Sequence, residues 1–222
     1  MGALPGVTEP RLESELKYRA NEEAPLIALA AAPTLGPATL GPVRTVDEVD
    51  RYLDTPSLRL EARRWACRLR TREERTILSL KGPAEHESGA ALHQRREVEG
   101  PATPDLRPDG WPPSEARDLL LEMTGEEPLV ERLTVAQRRT EREVLQGGAR
   151  AGLLTLDRVR VLHGGEELGR LLVVELELDP AALAEGLDPQ PLASALSRVD
   201  GLRRDPLTKL EHALDIVAAL LT

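Results

Sequence analysis

Phenylalanine is absent from this 222-residue chain, and aromatic residues make up only 2% of it. That scarcity removes the stacking platforms on which single-stranded nucleic acid is held. The net charge of −9 points the same way, against an outer surface built to bind nucleic acid. A local basic site stays open, because net charge does not say how charges are sorted between surface and interior. The single cysteine, Cys67, cannot close an internal disulfide, which fits a reducing, cytoplasmic setting and a small buried hydrophobe. No apolar run is long enough to span a bilayer, so no membrane partner is expected. Met1 to Pro10 lacks a basic stretch followed by an apolar one and reads as a loose leader. The four histidines show no metal-ligand spacing.

What is present describes one globular domain over residues 11–222, with 41% hydrophobic and 30% charged residues. Arg11 to Arg19 alternates with a period of two and predicts a strand. Asn21 is placed to cap a helix over Glu22 to Ala32, ended by Pro33. Thr34 to Pro42 reads as a Gly/Pro loop, and Val43 to Leu53 as a strand followed by the turn Asp54-Thr55-Pro56-Ser57. A short helix over Leu58 to Arg64 precedes a hairpin, Trp65 to Arg72 and Arg75 to Gly82, around Glu73-Glu74. His93 to Glu99 is a further strand, and the five prolines between Gly100 and Pro113 make a loop. Ser114 caps a helix over Glu115 to Thr124 that stops at Gly125. Three strands follow, Leu133 to Leu145, Gly152 to His163 and Leu168 to Leu178, with Gly147-Gly148 and Gly164-Gly165 as the turns. The tail from Pro180 is helical in pieces broken by Pro189, Pro191 and Pro206. About eight strands in hairpin order, with helices at the start, middle and end, give an antiparallel α+β fold.

The charges on these strands keep one parity. Side chains two apart share a face, so Glu13, Glu15 and Lys17 lie together, as do Arg68 and Arg70, Ser79 and Lys81, Arg95, Glu97 and Glu99, and Glu175 and Glu177, with Asp157 on the strand beside the last pair. On any one strand this is the ordinary solvated face of an antiparallel sheet. Repeated on nearly every strand, with acidic and basic pairs on separate strands, it is better met by a closed barrel with a charged lumen. Such a lumen must be wet or filled by an ion-rich ligand. Arg and Lys from several strands can clamp a triphosphate along its length. Carboxylates repel that anion, but they can hold Mg²⁺ or Mn²⁺, which bridges them to phosphate.

The same residues resemble the CYTH, or triphosphate tunnel, family. Glu13-x-Glu15-x-Lys17 matches the family's E-x-E-x-K signature, and Tyr52-Leu53-Asp54-Thr55 is similar to its Y-[FL]-D-T turn. Arg68-Leu69-Arg70, Leu80-Lys81-Gly82 and Arg95-Arg96-Glu97-Val98-Glu99 resemble R-x-R, L-K-[GC] and R-x-E-x-E. Arg139, Asp157, Glu175-Leu176-Glu177 and Lys209 match the charged positions of the later strands and the C-terminal helix. The resemblance, over residues 11 to 215, implies a closed eight-stranded antiparallel β-barrel with flanking helices and a C-terminal helix. It implies that Lys17, Arg68, Arg70, Lys81, Arg95, Arg139 and Lys209 hold the triphosphate, the first four of them at the reacting phosphates. It implies Mg²⁺ or Mn²⁺ on Glu13, Glu15, Glu97, Glu99, Asp157, Glu175 and Glu177, with Glu97 and Glu99 also open to a role in orienting neighbouring Arg and Lys. Arg96 competes with Arg95 from the opposite face. Tyr52 reads as a packing residue, Asp54 as a turn cap, and Trp65, of opposite parity to Arg68, as lying outside the lumen.

The chain departs from the pattern at Gln137, where a lysine is common two residues before the arginine. Arg138 and Arg142 have the other parity and are expected to face solvent. A His-Phe pair found upstream in class IV adenylyl cyclases is replaced by Pro5-Gly6. These features imply a metal-dependent hydrolase whose partner is a small-molecule triphosphate, tripolyphosphate first. A cyclase, or a module that binds polyphosphate or a nucleotide without turnover, is the alternative. The oligomeric state is left open, a homodimer among the options.

Overall fold

Alternation of apolar and charged residues makes Arg11–Ala20 a strand, β1, in the computed structural model, which describes residues 11–85 and 92–221. The leader assigned to residues 1–10 lies outside the described residues. In chain order there follow α1 (Ala24–Ala31), β2 (Thr34–Leu35), β3 (Ala38–Leu40), β4 (Arg44–Asp54), α2 (Arg59–Ala62), β5 (Ala66–Arg72), β6 (Arg75–Glu85) and β7 (Leu92–Pro101). Then come α3 (Glu115–Thr124), β8 (Val130–Gln146), β9 (Ala149–His163), β10 (Glu166–Leu178), α4 (Pro180–Ala184), α5 (Gln190–Ser197), β11 (Leu202–Arg204) and α6 (Lys209–Leu221).

Strands β8, β4, β5, β6, β7, β1, β10 and β9 pair in that order, and β9 pairs back onto β8. The eight strands therefore close into a barrel, and every pairing is antiparallel. Its tight hairpins need two residues at positive φ, because that twist matches the strands. Gly147-Gly148 (φ 60° and 85°) and Gly164-Gly165 (58° and 88°) supply it without a Cβ penalty, and Glu73-Glu74 adopt it at 47° and 64°.

The apolar core lies mostly outside the barrel wall. Leu16, Tyr18, Leu154, Leu156, Val174 and Leu176 point outward and are covered by Leu26 and Leu29 of α1 and Leu192 and Leu196 of α5. Leu69, Leu78, Leu80 and Val98 are covered by Leu60 of α2, Trp111, and Ala116 and Leu120 of α3. A third cluster sits at one end of the bore, where Ala213 and Val217 of α6 pack with Leu133, Val135, Val159, Val161 and Val173. These five have the parity of the lumen charges further along the same strands. The C-terminal helix thus closes the β8–β9–β10 side of that end.

Four local expectations are corrected. Asn21 does not cap α1, which starts at Ala24 with Pro25 in its first turn, where the missing N–H costs nothing. Thr34 to Pro42 is not a plain loop but holds the β2–β3 hairpin, with Gly36 at φ 57°. Pro191 does not break a helix; it sits in the first turn of α5. The tail also carries a strand, β11, which pairs with the end of β1. The α3 expectation holds to the residue: the Ser114 hydroxyl accepts from Arg117 N at 3.2 Å, and Gly125 follows at φ 62°.

Candidate functional site

The lumen parity on β1 carries Glu13, Glu15 and Lys17, all buried although charged. Charged residues are almost never buried without partners, and here Glu13 and Glu15 are met by opposite charge from other strands and Lys17 by Glu15 on its own. Lys81 Nζ on β6 donates to both Glu13 oxygens (2.7 and 2.8 Å), and Arg95 on β7 spans Glu13 and Glu15 (2.9 Å each). Lys17 Nζ stands 3.6 Å from Glu15. On the far wall Arg70 forks onto Asp50 (2.7 and 2.8 Å), and Arg139 forks onto Asp157 (2.8 Å twice). Arg72 forks onto Glu141 (2.7 and 2.8 Å) and reaches Glu48 at 3.1 Å. Arg68 lies 3.5 Å from Asp50 and 3.7 Å from Glu97, whose Oε1 also accepts from Ser79 at 2.7 Å.

Lys209, the first residue of α6, reaches into the bore and donates to Asp157 and Glu175 at 2.6 Å each. Its position is fixed by the segment before it. Thr208 and Glu211 form a reciprocal capping pair (Thr208 N to Glu211 at 2.6 Å, Glu211 N to Thr208 Oγ1 at 3.1 Å). His212 contacts Asp205 at 2.6 Å, and Asp205 N donates to the Lys17 carbonyl at 3.1 Å, which ties the helix start to β1.

Electrostatics divides the acids into two kinds. Burial alone would raise the Glu13, Asp50 and Asp157 pKa values, but their cation partners outweigh it and hold all three below the usual carboxylate range. Glu15 and Glu99 are raised instead. Burial acts first; Glu15 then faces the carboxylates of Glu13 and Glu175, and Glu99 that of Glu97.

Side chains of all eight barrel strands and of α6 line a central cavity of about 260 Å³. It shares Lys17, Tyr52, Lys81 and Arg95 with a cavity of about 340 Å³ at one mouth, where Trp65, His93, Arg64 and Arg132 also stand. It shares Arg70, Arg72, Glu99 and Glu141 with a wider space at the other mouth, rimmed by Arg44, Arg75 and Arg150. The bore is open at both ends.

The family model of the CYTH domain matches residues 11–201. The chain belongs to the CYTH family. No curated protein matches it. Among solved structures it is similar to HpAC1 of Hippeastrum, named as an adenylyl cyclase candidate with a dominant triphosphatase activity. That match has 18% identity over 91% of this chain and 95% of that one, and a TM-score of 0.65. It is also similar to adenylate cyclase candidates of Bacillus halodurans (18%, 90% and 97%, TM-score 0.56) and Vibrio parahaemolyticus (19%, 93% and 99%, TM-score 0.51).

Within this CYTH barrel, Glu13, Glu15, Lys17, Arg68, Arg70, Lys81, Arg95, Glu97, Glu99, Arg139, Glu175, Glu177 and Lys209 all line the central cavity. Asp157 lies behind Arg139 and Lys209, fully buried. Arg96 points out, exposed, to Glu115. Asp54 accepts from the N–H groups of Thr55, Leu60 and Glu61, so it caps its turn and α2. Tyr52 packs in the α6 cluster and also edges the cavity. Trp65 is outside the central bore, as its parity requires, yet it lines one mouth beside Gly82. Arg142 is a correction: it is buried rather than solvated, and its guanidinium donates to the carbonyls of Leu29, Ala30, Ala32, Leu40 and Gly41.

Four lumen charges escaped the sequence reading: Glu48 and Asp50 on β4, Arg72 on β5 and Glu141 on β8. Counting back by twos from Tyr52, and on by two from Arg70 and Arg139, would have found them. Gln137 donates to Glu48 (3.0 Å) and Asp50 (3.3 Å), so the amide stands among acids that hold the arginines.

Proposed function

We propose that this chain is a metal-dependent hydrolase of short triphosphates, with tripolyphosphate as the first substrate. The observation that carries the reading is the buried bore of interlocked acids and bases. Lys17, Arg68, Arg70, Lys81, Arg95, Arg139 and Lys209 would exchange their carboxylate partners for phosphate oxygens, the bidentate arginines keeping their geometry. Asp50 and Glu48 hold Arg68, Arg70 and Arg72 from behind, so those side chains are pre-oriented and lose little entropy on binding.

The donors that the exchange frees are all carboxylate oxygens, which suit Mg²⁺ or Mn²⁺. Glu13, Glu15, Glu175 and Glu177 would hold the ion, with Glu97, Glu99 and Asp157 completing the acidic wall. Among the described residues no three acidic, His or Cys side chains stand together at ligand spacing, because the carboxylates are drawn to Arg and Lys. The raised pKa of Glu15, from burial and from the carboxylates of Glu13 and Glu175, supports a cation at that wall. When bound, the metal supplies charge neutralisation and an acidified water. Attack of a water on the terminal phosphorus, with cleavage of its bridging P–O bond, yields orthophosphate and pyrophosphate.

A second reading has a specific observation behind it. Trp65, Tyr52, Leu210 and Leu214 line the mouth beside Lys81 and Arg95, which leaves room for an organic group on the triphosphate. That weakens the argument from scarce aromatics. It favours a nucleoside or thiamine triphosphate over a cyclase, since nothing in the bore singles out a ribose hydroxyl.

The test is product analysis with tripolyphosphate, ATP and thiamine triphosphate, each with Mg²⁺ or Mn²⁺. Orthophosphate from tripolyphosphate, lost in Glu13→Gln, supports hydrolysis of the inorganic chain. Higher kcat/KM on an organic triphosphate, reduced by Trp65→Ala while tripolyphosphate is unaffected, supports the second reading. Cyclic AMP with pyrophosphate would sink both, and tight binding without any product would leave a binding module.

A further inference from the structure

Buried hydroxyls and N–H groups are almost always paired, so those that are not point to a function for the missing partner. Five buried side-chain polar atoms of the described residues have no hydrogen-bond partner, and two of them, Arg68 Nε and Thr155 Oγ1, belong to side chains that line the central cavity. Thr155 is 4% exposed. It lies on β9 with the parity of Asp157, directly across from Glu141 on β8 and Glu175 on β10. Both neighbours are turned to other partners. Glu141 is forked by Arg72 at 2.7 and 2.8 Å, and Glu175 takes Lys209 at 2.6 Å. The hydroxyl, on a side chain that lines the bore, is therefore left with nothing to donate to. Arg68 is in the same condition from the β5 wall: its terminal nitrogens reach Asp50 and Ser79, while Nε is idle.

We propose that Thr155 is a direct substrate contact, its hydroxyl donating to a phosphate oxygen of the triphosphate held in the central cavity. The inference rests on the triphosphate reading above and adds a neutral donor to its cationic clamp. A wall that carries carboxylates on both flanking strands cannot present another cation there without drawing it into an ion pair. A hydroxyl makes no such pair. It reaches the anion without drawing away the acids.

The physics gives two opposite effects on one side chain. In the ligand-free protein an unpartnered buried hydroxyl is a burden, and replacement by an apolar group of the same shape removes it. In the complex the same replacement deletes a hydrogen bond. Thr155→Val should therefore melt at the wild-type temperature or above it without ligand, while its Kd for tripolyphosphate, measured calorimetrically with Mn²⁺ present, rises about tenfold. Thr155→Ser should restore the affinity. Mn²⁺ titrated without triphosphate should bind both proteins equally.

Unchanged triphosphate affinity in Thr155→Val, with the wild type binding, overturns the contact and leaves the triphosphate reading standing. Weaker Mn²⁺ binding in that variant overturns it in favour of a metal ligand. A lowered melting temperature that Ser does not rescue overturns it in favour of packing. Absence of triphosphate binding by the wild type overturns both the contact and the reading on which it rests.

Discussion

Arg138 and Arg142 sit four residues apart on the same face of β8 and meet different surroundings. Arg138 is in solvent, whereas Arg142 is buried under the end of α1, where its planar fork serves five backbone carbonyls at once. Three of those carbonyls belong to the last turn of α1 and the residue that follows it, groups with no partner inside the helix. Arg142→Ala would strand them in a buried setting and should cost about 3 kcal/mol in chemical denaturation. A loss below about 1 kcal/mol would mean that water replaces the guanidinium at little cost. Asp50 makes the complementary point about pH. Arg68 and Arg70 overcome its burial and hold its pKa below the ordinary 3.8. A depressed acid contributes stability that is present above its unfolded value and lost as the pH falls toward the folded one. The melting temperature of the ligand-free protein should therefore drop as the pH is taken below about 4, and less steeply in Asp50→Asn. Equal slopes in the two proteins would remove Asp50 from the balance.

At the level of elements, the barrel was legible because its charges keep parity over two or three positions on most strands, a signal that a helix cannot produce. The missed charges lie where that signal is drowned. Residues 47, 48, 50 and 51 of β4 are all charged, as are residues 141, 142 and 143 of β8, so both faces look polar and parity cannot choose between them. On β4 the outward Asp47 is exposed, while the inward Glu48 and Asp50, and Glu141 on β8, are buried; closure of the ring creates that difference. The β2–β3 hairpin and β11 were illegible for another reason: strands of two or three residues have no period to read. Where two long strands meet closely, one residue carries the geometry. A Cβ on Gly152 would stand 2.4 Å from the Glu177 carbonyl oxygen of β10. Gly152→Ala must push β10 away beside Glu175 and Glu177, so it should lower stability by about 2 kcal/mol and reduce turnover with it. A variant of wild-type stability and activity would show that the strand pair yields without disturbing the acidic wall.

Across the whole molecule, the family was recognisable because its charged positions recur in order along most of the chain, while the balance of those charges needed the closed barrel. With the four missed residues included, the bore holds the bases Lys17, Arg68, Arg70, Arg72, Lys81, Arg95, Arg139 and Lys209. Against these eight stand ten acids, the seven expected ones with Glu48, Asp50 and Glu141. Counted over the described residues, the fully ionised bore thus carries two negative charges, inside a protein of net charge −9. A triphosphate brings several more and cannot be held there by Arg and Lys alone, since every base released to phosphate uncovers the carboxylate it was holding. Charges this close are poorly screened by salt, because they lie within one Debye length of about 8 Å and away from bulk water. Cation uptake must therefore precede or accompany the anion. Calorimetry in EDTA should detect no tripolyphosphate binding, and Mg²⁺ or Mn²⁺ should restore it. Metal alone should bind measurably, because among the described bore residues carboxylates outnumber bases before the substrate arrives. Tight tripolyphosphate binding in EDTA would show instead that the acids take up protons as the bases turn to phosphate, and would remove the electrostatic case for a metal.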